Sequence, residues 1–265
     1  MARVHSQRWS KRVNQLWWLW LALLTLPALW PFYREGLPRS FDGGLHLLRL
    51  SLLHDYIYQG ILLPRWTPAL ILGYGYPLYN FYAPGAYYLA EVFHLLGLSF
   101  YNAFISTFVL QILVAGYGMY FFARDLFISE NFTAIKGAED QAADGPFLAT
   151  FPALLAAVAY LYGPYLLTNV YIRGAIAEAG AQALLPWIFW SVRRLLRAEE
   201  VARYFFVVVF LLGALALTHN ITLLFLPPVL LLFVLLHWLR APERRQRLFW
   251  IGGALLGAMG ISAFF

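Results

Sequence analysis

Apolar runs separated by short basic or polar stretches recur along this chain, and they constrain its fold more than any other feature. They cover about 16–33, 103–122, 147–172, 179–196, 204–217, 221–239 and 248–265. Several reach the ~18–20 residues needed to cross a hydrocarbon core ~30 Å thick. In lipid every backbone polar group must be satisfied within the protein, which leaves helices as the form for runs of this length. Charged residues are only 12% of the chain, about half the ~25% of an ordinary soluble domain. The expected fold is therefore all-α, a polytopic transmembrane helical bundle.

Charge placement orients that bundle. The net charge is +6, but the basic residues flank apolar runs, as they do beside anionic lipid, and nucleic acid is not indicated. The opening "MARVHSQRWSKRVNQ" has four Lys/Arg and no acid. The apolar run after it is too long for a signal core of ~7–15 residues, so it reads as an uncleaved first helix with a cytoplasmic N-terminus. Residues 86–98 contain Glu91 and His94 and are too short to cross. If they did cross, "RRLLR" and "RAPERRQR" would face outward, against the positive-inside bias. The expected arrangement is seven spans in the plasma membrane with three segments outside: the long loop 34–101, "RGAIAE" and "THN". The loop is expected to carry juxtamembrane helices and to form a lid. A turn near Gly174 keeps Arg173 and Glu178 out of the hydrocarbon, where each would cost about 2.5–3.5 kcal/mol. The chain closes on the apolar "GGALLGAMGISAFF", as expected of the N-terminal part of a longer protein.

The ionisable residues gather on the outer side. Asp42, His46 and Arg49 in "SFDGGLHLLRL" are spaced i, i+4, i+7, so a helix puts them on one face. Leu45, Leu48 and Leu52 occupy another face, suited to the membrane surface. An equally simple reading has Asp42 capping the helix, with His46 and Arg49 as solvated decoration. Asp55 reads as ordinary surface. Arg173 and Glu178 form either a functional pair or an interfacial ion pair worth under ~1 kcal/mol. His219 and Asn220 sit at a hairpin tip on the same side. "PRWTPALILGYGYPLYNFYAPG" offers Arg65, Trp66, Tyr76, Asn80 and Tyr82 among glycines and prolines, consistent with a shaped loop over a pocket. Within the spans only isolated polar residues such as Gln111 and Gln182 occur. The sequon at Asn131 falls on the inner side. No cysteine is present, which removes thiolate chemistry and Cys-based metal sites. Nucleotide-binding glycine loops, zinc-protease motifs and nucleophile elbows are also absent.

The order "FDGGLHLLRL", "GILLPRWTPALILGYGYPLYNFYAPGAYYL", "RGAIAEAGAQALLPWIFW", "LTHNIT" resembles the GT-C superfamily of membrane glycosyltransferases. Within it the chain is most similar to bacterial membrane proteins labelled 6-pyruvoyl-tetrahydropterin synthase-related, which resemble dolichyl-phosphate-mannose-type transferases. The label implies no pterin chemistry. The resemblance implies a polyprenyl-phosphate sugar donor and a reaction on the outer face. It further implies that Asp42 matches the first-loop catalytic acid and Glu178 the second acid.

On that basis the expected reaction moves a sugar to an acceptor hydroxyl on a glycan, lipid or protein, with Asp42 as general base. Arg173 and Arg49 would face the leaving phosphate. Glu178 would orient the acceptor, or join Asp42 in holding a divalent cation such as Mg or Mn. Asp42 and Glu178 should then lie within about 10 Å of each other, the span of a sugar and its phosphate. A transporter or flippase of a lipid-linked sugar, or a catalytically silent scaffold, would use the same surface without chemistry.

Overall fold

The computed structural model describes residues 15–37, 39–134, 145–197, 199–239 and 241–264. The basic N-terminal segment 1–14, from which the cytoplasmic start is read, lies outside them. So do 135–144 of the polar stretch after the second apolar run. The described chain is helical, with no strand; an isolated antiparallel bridge joins Thr67 and Tyr76. In order the helices are α1 (Trp17–Glu35), α2 (Gly43–Tyr58), the short α3 (Leu78–Phe81), α4 (Gly85–Leu95), α5 (Phe100–Ala134) and α6 (Gly145–Leu161). Then come α7 (Pro164–Leu167), a π-helical turn (Thr168–Arg173), α8 (Ile176–Arg197), α9 (Val201–Thr218), α10 (Asn220–Trp238) and α11 (Arg244–Ser262).

Local chemistry sets the breaks. The expected span at 147–172 is not one rod. Gly163 is extended at φ −56°, ψ 127° before Pro164, because a residue preceding proline is pushed out of the helical region. The two pieces meet at a bend of 41°. The second piece ends at Gly174, left-handed at φ 68°, a conformation that costs any other residue about 1–2 kcal/mol. The helix expected at 103–122 instead runs for 35 residues, since nothing between Arg124 and Ala134 breaks it. At 1.5 Å per residue it is about 52 Å long, so its far end projects beyond a hydrocarbon core.

Two apolar cores meet along α8. One gathers Leu50 and Leu53 of α2, Tyr87 and Ala90 of α4, Phe104, Phe108 and Ile112 of α5, and part of α6. The other joins Ile188 and Leu195 of α8 to Val208, Leu212, Leu230 and Ala254. The small residues Ala177, Ala179, Gly180, Ala181 and Ala183 are buried and let neighbouring backbones approach closely. The outer surface is apolar as well: Leu26 and Trp30 on α1, Leu224 and Phe225 on α10, and Phe249 and Leu256 on α11 are exposed. Such a surface belongs in lipid.

Three described helices are each long and apolar enough to cross a membrane: the Phe100–Ile128 part of α5, α9 and α10. The bent pair Ala149–Leu161 with Pro164–Arg173 makes a fourth. The other expected spans are helices too, but their composition differs. α1 is rich in tryptophan, α8 carries Glu178 and three arginines, and α11 starts on an arginine cluster. Helix α4 has 11 residues, about 16 Å at 1.5 Å per residue, too short to cross.

Candidate functional site

Helix α2 packs by one face. Gly43, His46, Leu50 and Leu53 are buried, while Leu45 and Leu48 are exposed. The solvated reading of His46 and Arg49 is therefore wrong: His46 is 3% exposed and Arg49 is half-buried. Asp42 occupies the N-cap position, yet its side chain makes no capping bond. Helical dihedrals at Asp42 (φ −110°, ψ −8°) differ from the extended geometry that a capping side chain requires. The half-buried carboxylate is thus not consumed by the helix.

The start of α2 is fixed by a backbone clasp. The amide of Phe41 donates to the Ile172 carbonyl at 3.0 Å, and that of Asp42 to the Arg173 carbonyl at 2.8 Å. Gly174 makes the approach feasible, because a Cβ there would stand 2.4 Å from Ser40 Oγ and 2.9 Å from the Gly43 nitrogen. The Arg173 guanidinium in turn donates to Asn169 Oδ1 at 2.7 Å and pairs with Glu178 Oε2. Tyr165 donates to Glu178 Oε1. One residue, Arg173, therefore holds the backbone of Asp42 and the side chain of Glu178.

Behind this clasp lies a tyrosine-rich wall. His46 Nδ1 is 2.6 Å from the Tyr87 hydroxyl, and Arg49 donates to the same oxygen at 3.4 Å. The Arg49 guanidinium also lies 4.3 Å from the centre of the Tyr82 ring, a cation–π contact. The Tyr79 hydroxyl donates to the Arg49 carbonyl at 2.6 Å. Burial, then the charges of Arg49 and Arg173, push the His46 pKa down to about 3. Burial likewise raises Tyr79, Tyr82 and Tyr87. His46 is thus neutral and the phenols keep their protons. The Tyr87 hydroxyl is shared between the neutral His46 ring and the Arg49 guanidinium.

His219 completes the cluster from the α9–α10 junction. It caps α10, with Nδ1 accepting from the Thr222 amide at 3.2 Å. Burial lowers its pKa, Glu178 opposes that, and Arg173 adds to it, so all three share one electrostatic neighbourhood. Asn220 ties the junction to the outer loop by donating to the Phe81 carbonyl at 3.3 Å. The other expected loop residues stand apart. Arg65 donates to Asn80 at 3.2 Å and to the Phe264 carbonyl. Trp66 and Tyr76 are exposed; the Trp66 carbonyl accepts from Tyr56, and the Tyr76 backbone bridges to Thr67.

Four further residues belong to the cluster: Tyr87, Tyr165, Asn169 and Gln182. Asn169 is fully buried and links Arg173 to Gln182, donating to the latter at 3.1 Å. Gln182 is therefore not isolated, and neither is Gln111, whose amide nitrogen donates to the Ile176 carbonyl at 3.0 Å. A polar residue inside an apolar run was the available signal for Asn169. Nothing in the sequence marks Tyr87 off from its neighbours. Among the described residues no three His, Asp or Glu side chains converge as metal ligands. Each Glu178 oxygen accepts one hydrogen bond, Oε1 from Tyr165 and Oε2 from Arg173.

A cavity of about 480 Å³ opens beside the cluster. Its lining is mainly apolar, with Leu89, Val114, Leu184, Phe210 and Leu217 among the walls and Gln111 as a polar exception. Gly180 and Thr218 also line it, two residues after Glu178 and one before His219. Gly85 keeps α4 close to α9 at this point: a Cβ there would meet the Leu217 carbonyl at 2.5 Å.

Comparisons with known proteins agree with this picture at a coarse level. An uncharacterized protein of Lactococcus lactis subsp. cremoris (strain MG1363) is 22% identical over 258 residues, which covers 96% of this chain and 39% of that protein. The chain thus spans about two fifths of its relative's length. No solved structure matches it significantly. Residues 147–265, which include Arg173, Glu178 and His219, match the 6-pyruvoyl-tetrahydropterin synthase related domain, a membrane protein domain.

Proposed function

We propose that this chain forms the reacting end of a membrane glycosyltransferase. It would move a sugar from a polyprenyl-phosphate donor to an acceptor hydroxyl on the outer face of a plasma membrane. The observation that carries the reading is the convergence on Arg173. One strap of backbone holds Asp42, one guanidinium holds Glu178, His219 stands alongside, and a mainly apolar cavity of about 480 Å³ lies next to them. Half-buried and free of any capping duty, Asp42 takes the proton that must leave the acceptor hydroxyl as the new C–O bond forms. As the donor C–O bond breaks, negative charge grows on the departing lipid phosphate, and Arg173 and Arg49 supply fixed positive charge there. His46 is too deeply buried to touch substrate. It is a positioning residue, holding α2 to Tyr87.

The test is transfer from a labelled polyprenyl-phosphate sugar by the chain in its full-length natural context. Asp42→Asn keeps the shape but loses the base, so transfer should fall by about 10²–10⁴-fold while the protein still folds. Transfer at the wild-type rate with Asn at 42 would refute the assignment. Asp55→Asn, at an exposed position, is the control and should leave transfer unchanged.

A further inference from the structure

The opposite end of the bundle carries a second ionic cluster that the proposed reaction does not use. Asp125 of α5 is nearly buried and takes two arginines of α8: Arg193 on Oδ2, and Arg194 on Oδ1 at 2.7 Å. Both carboxylate oxygens are then committed. Arg197 follows one turn after Arg193 and lies within its electrostatic reach. From α11, Arg247 donates to the Leu195 carbonyl at 3.1 Å, which brings its guanidinium to the same last turn of α8.

Arg247 is the anomaly. It is 5% exposed and none of the described ion pairs includes it; its Nε makes no hydrogen bond, a condition that several other arginine Nε atoms share. A guanidinium offers five N–H donors and remains charged. A carbonyl takes one of them and neutralises nothing, and a buried charge without a counterion is strongly unfavourable. The nearby acids do not help: Glu200 is exposed and pairs with Arg203, and Glu243 is exposed. A general preference for basic residues at one membrane face calls only for solvated charges, so it does not account for a buried one.

We infer that Arg247, with Arg194 and Arg197 of α8, binds the phosphate group of an anionic phospholipid at this end of the bundle. A phosphodiester supplies the missing negative charge and accepts from several guanidinium donors at once. The lipid source is favoured by what flanks Arg247. Leu248 and Phe249 follow it directly and are exposed, and Phe206 and Phe210 are exposed on α9, the helix packed against α11. A headgroup held at Arg247 thus has apolar surface along which its acyl chains can lie.

The experiment uses the full chain in phosphatidylcholine vesicles with and without phosphatidylglycerol of the same acyl chains. Thermal stability and lipid retained in native mass spectrometry are read out. Phosphatidylglycerol should raise the melting temperature and stay bound, and Arg247→Gln should weaken retention about ten- to hundredfold. Arg203→Gln, exposed and already paired, should keep wild-type retention. Should Arg247→Gln not fold, Arg194→Gln and Arg247→Lys carry the test, with weakened retention expected for the first and partial retention for the second. Equal stability in both lipids, or undiminished retention in the folded variants, overturns the proposal. Inorganic phosphate protecting the protein equally well in pure phosphatidylcholine overturns the lipid assignment.

Discussion

Two stretches of the outer loop differ in a way that inverts their appearance in the sequence. Residues 61–76 are crowded with aromatics, glycines and prolines and look like the lining of a site. Yet Trp66 and Tyr76 lie exposed, and the stretch closes on itself through the Thr67–Tyr76 bridge. Helix α2 looks plain, with a few polar residues among leucines. Its buried face nevertheless carries His46 into the core, and its first residues are laced to Ile172 and Arg173. A shaped loop spends its aromatics on its own geometry. A site needs contacts that reach far along the sequence, such as the Asp42 backbone with that of Arg173 and the His46 ring with Tyr87.

The sharpest way to break this contrast is to strike the clasp. In Glu178→Gln the Arg173 charge loses its counterion while shape is kept. Transfer should fall by about 10²–10³-fold, the scale on which a misplaced or uncompensated charge-stabilising group acts. The purified variant should still give a sharp thermal transition. An unchanged rate would remove Glu178 from the site and leave the clasp purely architectural.

Gly174→Ala comes next. The left-handed backbone there costs about 1–2 kcal/mol with a Cβ, and that atom would collide with Ser40. The variant should lose several degrees in melting temperature in detergent and should transfer poorly, because Asp42 is released from Arg173. The same substitution at Gly60, also at positive φ but with nothing within 4 Å, separates backbone strain from docking. It should cost stability and leave transfer near wild type. Equal behaviour of the two variants would show that the docking contributes nothing of its own.

Much of the architecture was legible because lipid-compatible runs leave the backbone little choice. The helices follow the apolar segments, and the turn at Gly174 follows from the cost of immersing Arg173 and Glu178. What escaped was context. "YGP" at 162–164 marks a helix break as plainly as any tripeptide here, but the apolar run around it masks the signal. The length of α5 escaped because charged residues after Phe122 end a membrane span without ending a helix. At the site, Asp42, Arg173 and Glu178 stood out as charges in an apolar chain. Tyr87 and Tyr165 did not, since a tyrosine near a membrane surface is unremarkable until its hydroxyl partner is known.

Smaller effects should come from the tyrosine wall. Tyr87→Phe removes the hydroxyl that His46 and Arg49 share and leaves a buried ring nitrogen unpaired, which costs about 1–3 kcal/mol. Acid should expose the same wall. His46 is held near 3, down from 6.5, and the groups facing it are Arg49, Arg173, Tyr82 and Tyr87. The unfolded chain binds a proton at pH values where the folded one does not, so this group's contribution is whole above pH 6.5 and is lost progressively as pH falls toward 3. Melting temperature followed across that range should drop less steeply in His46→Gln than in the wild type. Parallel curves would mean that His46 is already accessible to protons.

The smallest effect belongs to the stretch that looked most like a site. Trp66→Ala and Tyr76→Ala remove exposed rings, and exposed substitutions away from packed or paired groups usually stay within about 0.5 kcal/mol. The Trp66 ring does cover Gly75, whose Cβ position lies 2.5 Å from it, so its loss loosens the bridge between Thr67 and Tyr76 locally. The backbone bonds of that bridge remain, because both run between main-chain atoms. Melting temperatures should therefore move by a degree or two at most. Transfer provides the discriminating measurement. If these rings serve only the loop, both kcat and KM stay near wild type. If they stack against a sugar, KM rises at unchanged stability, and the plain helix and the ornate loop both belong to the site.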